Sequence, residues 1–438
     1  MEIYFRDLST QLFSQLQANE VLLINYEEEK SDFSRFNHNR IRQSGYVHQQ
    51  HLTLDLINNK RQCSASFNLS GELESDLSQA QSLLNNLRSQ RDYLPEDPYI
   101  HYATAINNSS FYGENYLPST EETIIEIIET AKGLDLVGIL ASGEISQGFA
   151  NSLGQFNWHT DYSFNFDWSI YQNSDKAIKQ NYAGKQWNAE TFQEKISFAQ
   201  QTLPILSLEP KTISPGKYRV FLSPSALYEL FELLNWGGFG LKSHRTAQTP
   251  LIKMIKDGVT LSDKISLTEN HKTGLTPDFT QQGFKKPNEI KLIRNGRYKD
   301  CLNNHRSAKE YGESVNCNIE HPQSLAMNAG SLLQNQILNT LDTGVYISNL
   351  WYCNYSDRNN CRITGMTRFA CLWVENGKPV ASLGVMRFDE SIYHILGDNL
   401  IALTKDREEI LSSSTYEKRS EASAQLPGAL VENFTFTL

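Results

Sequence analysis

The sequence predicts an α+β protein made of two units, on three observations. A chain of 438 residues exceeds what one hydrophobic core usually organises. Its first half sets helical apolar stripes beside alternating, aromatic-rich runs, as expected for helices packed on an antiparallel sheet. Its second half is dominated by the stretch Thr343–Val385, which reads as three strands, Gly344–Leu350, Thr364–Glu375 and Pro379–Val385. Asn376-Gly377 joins the last two and tolerates the positive φ angles of a type I′ hairpin turn. The expected division is residues 1–210, a two-layer unit with an antiparallel sheet, and residues 211–438, a β-rich unit.

The elements follow in order. Phe5, Leu8, Leu12, Phe13 and Leu16 form one helical stripe within 4–18. Glu20–Tyr26 reads as a buried strand, and the runs from Ser31 to Asn59 and from Arg61 to Ser70 alternate as half-buried or edge strands. Between them, Ser34-Arg35-Phe36-Asn37 and Ile41-Arg42-Gln43 read as a polar segment. It is either a solvated loop anchored by Phe36 or the lining of an interdomain cavity. Gly71–Asp92 is a helix with Leu73, Leu77, Leu84 and Leu87 inward, followed by a long irregular segment from Pro95. A helix opens at Ser119-Thr120 and stops at Gly133. Three meander strands occupy 134–187, a helix covers Ala189–Thr202, and Pro204–Ser214 is the expected connection. The strand from Lys217 to Ser223 leads into a helix with Ser223 as N-cap and Pro224 at its first position. Leu227, Leu230, Phe231 and Leu234 are its core stripe. Phe239–Ser331 is rich in loops, Gly330–Leu341 is a helix, and the tail ends in a strand.

Composition narrows the function. A net charge of −10 speaks against a nucleic-acid surface. No apolar run approaches the roughly 20 residues of a membrane helix, and the N-terminus carries no signal-peptide pattern. Six cysteines without CxxC pairs suggest reduced thiols and a cytoplasmic protein. Glu229 and Glu232 share a helix face, yet no histidine lies between His159 and His244 to hold zinc beside them. Solvated carboxylates are the favoured reading. His244, His271, His305 and His321 lie in the loop-rich segment without metal-ligand spacing. No nucleophile elbow, P-loop or dinucleotide fingerprint occurs, so no catalytic residue, metal or other cofactor is expected. Trp351, Tyr352, Tyr355 and Arg358 cluster in the segment Trp351–Cys361, read as a loop. Such residues either cover a binding surface or pack inside the second unit.

Six motifs in order resemble one known family. They are S-R-F-N with I-R-Q (Ser34–Gln43), A-N-S-L-G (Ala150–Gly154), P-G-K-Y-R-V-F-L-S-P (Pro215–Pro224), I-R-N-G (Ile293–Gly296), T-G-V-Y-I (Thr343–Ile347) and W-V-E-N-G-K (Trp373–Lys378). Together they resemble the TldD/PmbA family, once called modulators of DNA gyrase and now understood as peptidase-related. The resemblance implies an N-terminal α/β domain and a C-terminal β-barrel-like domain. It further implies that the TldD branch binds zinc through an H-E-x-x-x-H helix and a cysteine near the C-terminus. Here Tyr228-Glu229 stands in place of His-Glu, Leu233 in place of the second His, and no cysteine follows Ser412. The chain is therefore similar to the zinc-free TldE/PmbA branch, although Trp351–Cys361 replaces that branch's Gly-rich loop. The implied partners are a TldD-like metallopeptidase subunit, or a second copy of this chain, and an unfolded peptide undergoing proteolysis or maturation. Arg35, Asn37, Trp351, Tyr352, Tyr355 and Arg358 are the candidate peptide-binding or interface residues. The alternatives are a catalytically silent peptide-binding homodimer and a peptidase with a divergent metal site among the four loop histidines.

Overall fold

The computed structural model describes residues 1–173 and 176–438. Helix α1 (Glu2–Phe13) buries Phe5, Leu8 and Leu12. It precedes a long hairpin, β1 (Glu20–Asn37) and β2 (Arg40–Asn58), turned at His38-Asn39 with φ of 50° and 52°. The segment read as a polar connection is therefore the end of β1 and the start of β2, because His38 and Asn39 supply the left-handed turn. Next come β3 (Arg61–Asn68), α2 (Leu73–Arg91), β4 (Ser109–Tyr112) and α3 (Thr120–Thr130), the last opened by a capping box between Ser119 and Glu122. Strands β5 (Asp135–Asn151), β6 (Phe156–Asn173) and β7 (Lys176–Gly184) and helix α4 (Ala189–Leu206) complete this half.

The seven strands form one sheet in the order β3-β2-β1-β5-β6-β4, with β7 also on β6. All pairings are antiparallel except the short β4, which runs parallel to β6. Helices cover one face: Phe164, Phe166, Trp168 and Ile170 of β6 pack with Phe192, Ile196 and Ala199 of α4, and α1 and α2 cover the other end. Directly opposed residues share a face, so the register places Ser31, Gly143 and Ser163 together on the other face, along with Arg35, Ile139 and Asp167. That inner face is polar and turns toward the second half.

The second half opens with β8 (Gly216–Leu222) and α5 (Pro224–Asn235), whose N-cap Ser223 accepts the Ala226 N–H and whose Leu227, Leu230, Phe231 and Leu234 are buried. The loop-rich region holds short elements: α6 (Leu241–Arg245), α7 (Ile252–Lys256), β9 (Leu267–Asn270), β10 (Glu289–Arg294), β11 (Arg297–Tyr298), α8 (His305–Tyr311) and β12 (Ser324–Met327). The helix expected over Gly330–Leu341 is reduced to a 3-10 turn and α9 (Ile337–Leu341). Strands β13 (Gly344–Ile347), β14 (Asn349–Asp357), β15 (Arg362–Arg368), β16 (Leu372–Glu375), β17 (Lys378–Ser382), β18 (Arg387–Ser391), β19 (Leu400–Leu411) and β20 (Ser423–Phe436) follow.

Two differences from the sequence expectation stand out. Trp351–Cys361 is not a loop but most of β14 and its turn into β15. The strand expected over Thr364–Glu375 breaks where Phe369 takes φ 58°. Asn376 and Gly377 adopt φ 49° and 74° and close the β16–β17 hairpin. The thirteen strands form a mixed sheet with β20 as hub, paired with β8, β12, β18 and β19. Its parallel pairs are β12–β20 and β13–β8. The sheet stays open: among the described residues its strand pairings close no ring, in contrast to the barrel-like unit that the resemblance implied.

The connection between the halves is not a plain linker. Helix α4 continues to Leu206, and the core that buries it also contains Phe221, Tyr346, Leu372 and Leu430 of the second sheet. Lys211 then bridges to β17 through its N–H to Ser382 O.

Candidate functional site

The polar inner face of the first sheet is held by one side chain of the second half. Residues 412–422, a strap between β19 and β20, lie across it with Arg419 turned inward and 2% exposed. Its guanidinium donates to Ser31 Oγ (3.2 Å), Ser163 O (2.9 Å), Ser163 Oγ (2.8 Å) and Gly143 O (2.9 Å). Its backbone N–H reaches Glu29 Oε2 at 3.3 Å. Gly143 permits this geometry. Its φ is 151°, and a Cβ there would lie 2.1 Å from Lys30 O. Asn165 adds two bonds from the sheet to the strap, to Leu411 O (3.3 Å) and Ser412 O (3.2 Å).

On one side of the strap lies a cleft of about 480 Å³, lined by β1, β5, β6 and β7 and by Ser412–Thr415. Its floor is the cross-strand row Arg35, Ile139, Asp167. Ile139 is 50% exposed, and Asp167 forms an ion pair with Lys179. The floor thus offers an apolar step flanked by charges of both signs.

Helix α5 stands beside this cleft. Burial is the first cause raising the Glu229 carboxyl, followed by the neighbouring Glu232; Lys179 opposes the shift and Asp167 adds to it. Glu229 also faces β14: the Cys353 thiol is pushed up to about 12, by burial first and the Glu229 charge second. Tyr228 and Leu233, at the positions where the resemblance implies zinc ligands in the TldD branch, both pack against the apolar core. A phenol and a branched alkane do not make a zinc site there.

The six candidate residues fall into two groups. Arg35 lines the cleft and is exposed, with Asn37 two residues further along the same face of β1. Trp351 and Tyr352 project from β14, 46% and 70% exposed, with rings edge to face at 4.6 Å and the Arg368 guanidinium over Trp351. Tyr355 turns the other way. It packs on the core and donates to Leu233 O at 3.0 Å. Arg358 lies over Tyr355 and Trp236 and donates to Gln248 O (2.9 Å) and Trp236 O (2.8 Å), which ties the hairpin to the end of α5.

The loop histidines do not converge. His244 bonds Tyr298 OH and Gly238 O, both at 2.8 Å; His271 bonds Pro287 O (2.8 Å) and Glu269 (3.2 Å). Among the described residues, no three His, Cys, Asp or Glu side chains are grouped to hold a metal ion. Sequence reasoning missed Arg419, Asp167 and Lys179. The available signal was the run of alternate polar residues on β6, His159, Asp161, Ser163, Asn165 and Asp167, which marks one whole sheet face as polar.

Comparison with known proteins agrees with this architecture. Residues 215–438 match the family model described as the PmbA/TldA metallopeptidase C-terminal domain. No curated protein matches by sequence. Among solved structures, TldE from Thermococcus kodakarensis superposes with a TM-score of 0.78 at 16% identity, covering 99% of this chain and 100% of that one. A proposed modulator of a DNA gyrase from Thermotoga maritima gives 0.75 at 15% identity, covering 99% and 100%. Another from Bacteroides thetaiotaomicron gives 0.73 at 16% identity, covering 99% and 98%. The family model spans just over half of the chain and the fold agrees from end to end, so the chain belongs to the TldD/PmbA family.

Proposed function

We propose that the chain is a zinc-free, TldE-like subunit that pairs with a TldD-like metallopeptidase subunit and holds an unfolded peptide for it. The observation that carries this reading is the use made of α5: Tyr228 and Leu233 pack against the apolar core where the resemblance implies ligands in the zinc-bearing branch. The fold similarity to a TldE structure supports it. The cleft over Arg35, Ile139 and Asp167 suits an extended chain, since it offers apolar and charged contacts but no deep side-chain pocket. Beyond it, among the described residues β14 is paired only on its β15 side, so part of its other edge can bond a peptide backbone in a sequence-blind way. In this reading residues 1–210 and 211–438 act as two domains with the cleft between them, and Trp351 and Tyr352 belong to the partner-facing or peptide-facing surface.

Affinity purification from the native host tests the pairing. The expected result is a TldD-like chain retained in comparable amount, with cleavage of an unfolded peptide requiring both chains. Retention of a second copy alone would replace the pairing by self-association. Cleavage by the isolated chain, resistant to chelation and absent from a mock preparation, would overturn the non-catalytic reading.

A further inference from the structure

The strap separates the cleft from a second cavity, of about 210 Å³, between the first sheet and the residues around Thr276–Lys286. Strap residues divide between them: Arg419 lines the cleft, while Lys418 and Glu421 line this cavity. Four charged side chains face it in all, Glu27, Lys286, Lys418 and Glu421. Two neutralise each other, with Lys418 Nζ 3.0 Å from Glu27 Oε1. Among the described residues, neither of the other two has an oppositely charged partner closer than 4.0 Å.

Lys286 is 5% exposed and donates to Thr276 Oγ1 at 3.2 Å. None of the ion pairs within 4.0 Å among the described residues includes it, which leaves most of its three-donor capacity unused. Glu421 is 8% exposed, accepts from Gln147 Nε2, and has Lys418 at 4.0 Å; its Oε1 is buried without a hydrogen-bond partner. Burial accordingly depresses Lys286 to about 8 and raises Glu421 to about 7. A buried ammonium and a buried carboxylate cost stability when no opposite charge meets them at hydrogen-bond distance.

The space between them has a size and a charge pattern. One water needs roughly 10–15 Å³ by this kind of measure, so the cavity has room for an organic molecule of several heavy atoms. A phosphate there would meet Glu27 and Glu421, and a diamine would meet Lys286 and Lys418. A molecule with one charge of each sign meets neither penalty. Side-chain amides such as Asn25, Gln147 and Asn318 offer neutral donors and acceptors for a peptide group.

We propose that this cavity binds a small zwitterion, a free amino acid or dipeptide, with its carboxylate on Lys286 and its ammonium on Glu421. This goes beyond the peptide-holding reading and does not depend on it, because the site lies across the strap from the cleft and uses other residues.

Calorimetric titration of the full chain tests the site with five probes: L-alanine, L-alanyl-L-alanine, N-acetyl-L-alanine, L-alaninamide and inorganic phosphate. The expected result is saturable binding of alanine or alanyl-alanine, at least about tenfold weaker binding of both singly blocked analogues, and none of phosphate. Lys286→Met should weaken the zwitterion at least about tenfold, whereas Arg35→Ala in the cleft should not change it. No saturable binding below about 10 mM would overturn the proposal. So would analogues that bind equally well, phosphate that competes, or binding lost in Arg35→Ala and kept in Lys286→Met. Should Lys286→Met fail to fold, the five-probe series on the unaltered chain decides alone.

Discussion

Replacing Arg419 by Met should detach the strap from the first sheet. The side chain makes four hydrogen bonds, to Ser31, Ser163 (two) and Gly143, and sits between the Glu29 and Glu421 charges. Met keeps much of the volume but satisfies none of those acceptors and leaves the carboxylates uncompensated. Removing one partner of a buried ionic network costs about 3–5 kcal/mol, and bonds to charged donors of about 1.5–3 kcal/mol each bound the loss from above. Local opening relieves part of that cost, because Tyr416 is already 87% exposed and residues 413–417 are all exposed. The variant should therefore show a lower urea midpoint, faster amide exchange over 412–422, and earlier proteolytic cutting there than anywhere in β19 or β20. Arg419→Lys should fall between, since it keeps the charge and loses the planar fork. A midpoint shift worth less than about 1 kcal/mol with unchanged strap exchange would refute the claim that this guanidinium pins the halves together.

Two further outcomes are expected. His159 is 6% exposed, donates from Nε2 to Leu275 O at 2.9 Å, and is lowered to about 4 by burial, with Asp161 opposing and Lys286 and Lys185 assisting. Its folded-state value lies below its unfolded one, so it contributes nothing above about pH 6.5 and destabilises the fold progressively from there down to about pH 4, by up to roughly 3 kcal/mol. His159→Gln should flatten that part of the stability-versus-pH curve, and an unchanged acid limb would rule the histidine out as its cause. Glu229→Gln should alter peptide cleavage by the assembled complex less than about threefold, whereas a loss of about 10²-fold or more would make Glu229 a general base after all.

What the sequence made legible was local. Ser223-Pro224 and Asn376-Gly377 place a helix start and a hairpin because the backbone geometry there depends on those residues alone. The His38-Asn39 turn was hidden because neither residue is a glycine, and the polar letters around it resemble a loop. The inner face of β1, β5 and β6 was hidden for a deeper reason. Alternating polar residues on a strand ordinarily mean solvent, yet here Ser31, Ser163 and Asn165 are buried against residues 246 to 388 positions away. Nothing near Arg419 in the chain marks it as an interior residue. Trp351 and Tyr355, four residues apart in one aromatic cluster, end on different sides of β14 because the strand bulges between Trp351 and Asn354, with Tyr352 at φ 55°.

The two faces of the first sheet divide the labour of stability and cleft formation. Apolar burial is concentrated behind the sheet, where α4 is shared with the second half, so stability does not depend on the inner face being dry. The inner face is then free to be polar. Polar surface held apart by a strap, rather than closed by a hydrophobic seam, leaves two cavities in place of one buried interface. Tyr228 and Leu233 of α5 pack against the second core, away from the residues that line the cleft. The identity of residues 228 and 233 and the shape of the cleft are therefore separable in this fold. The cleft's geometry rests on Arg419, Gly143 and the β1–β5–β6 register, and on neither Tyr228 nor Leu233.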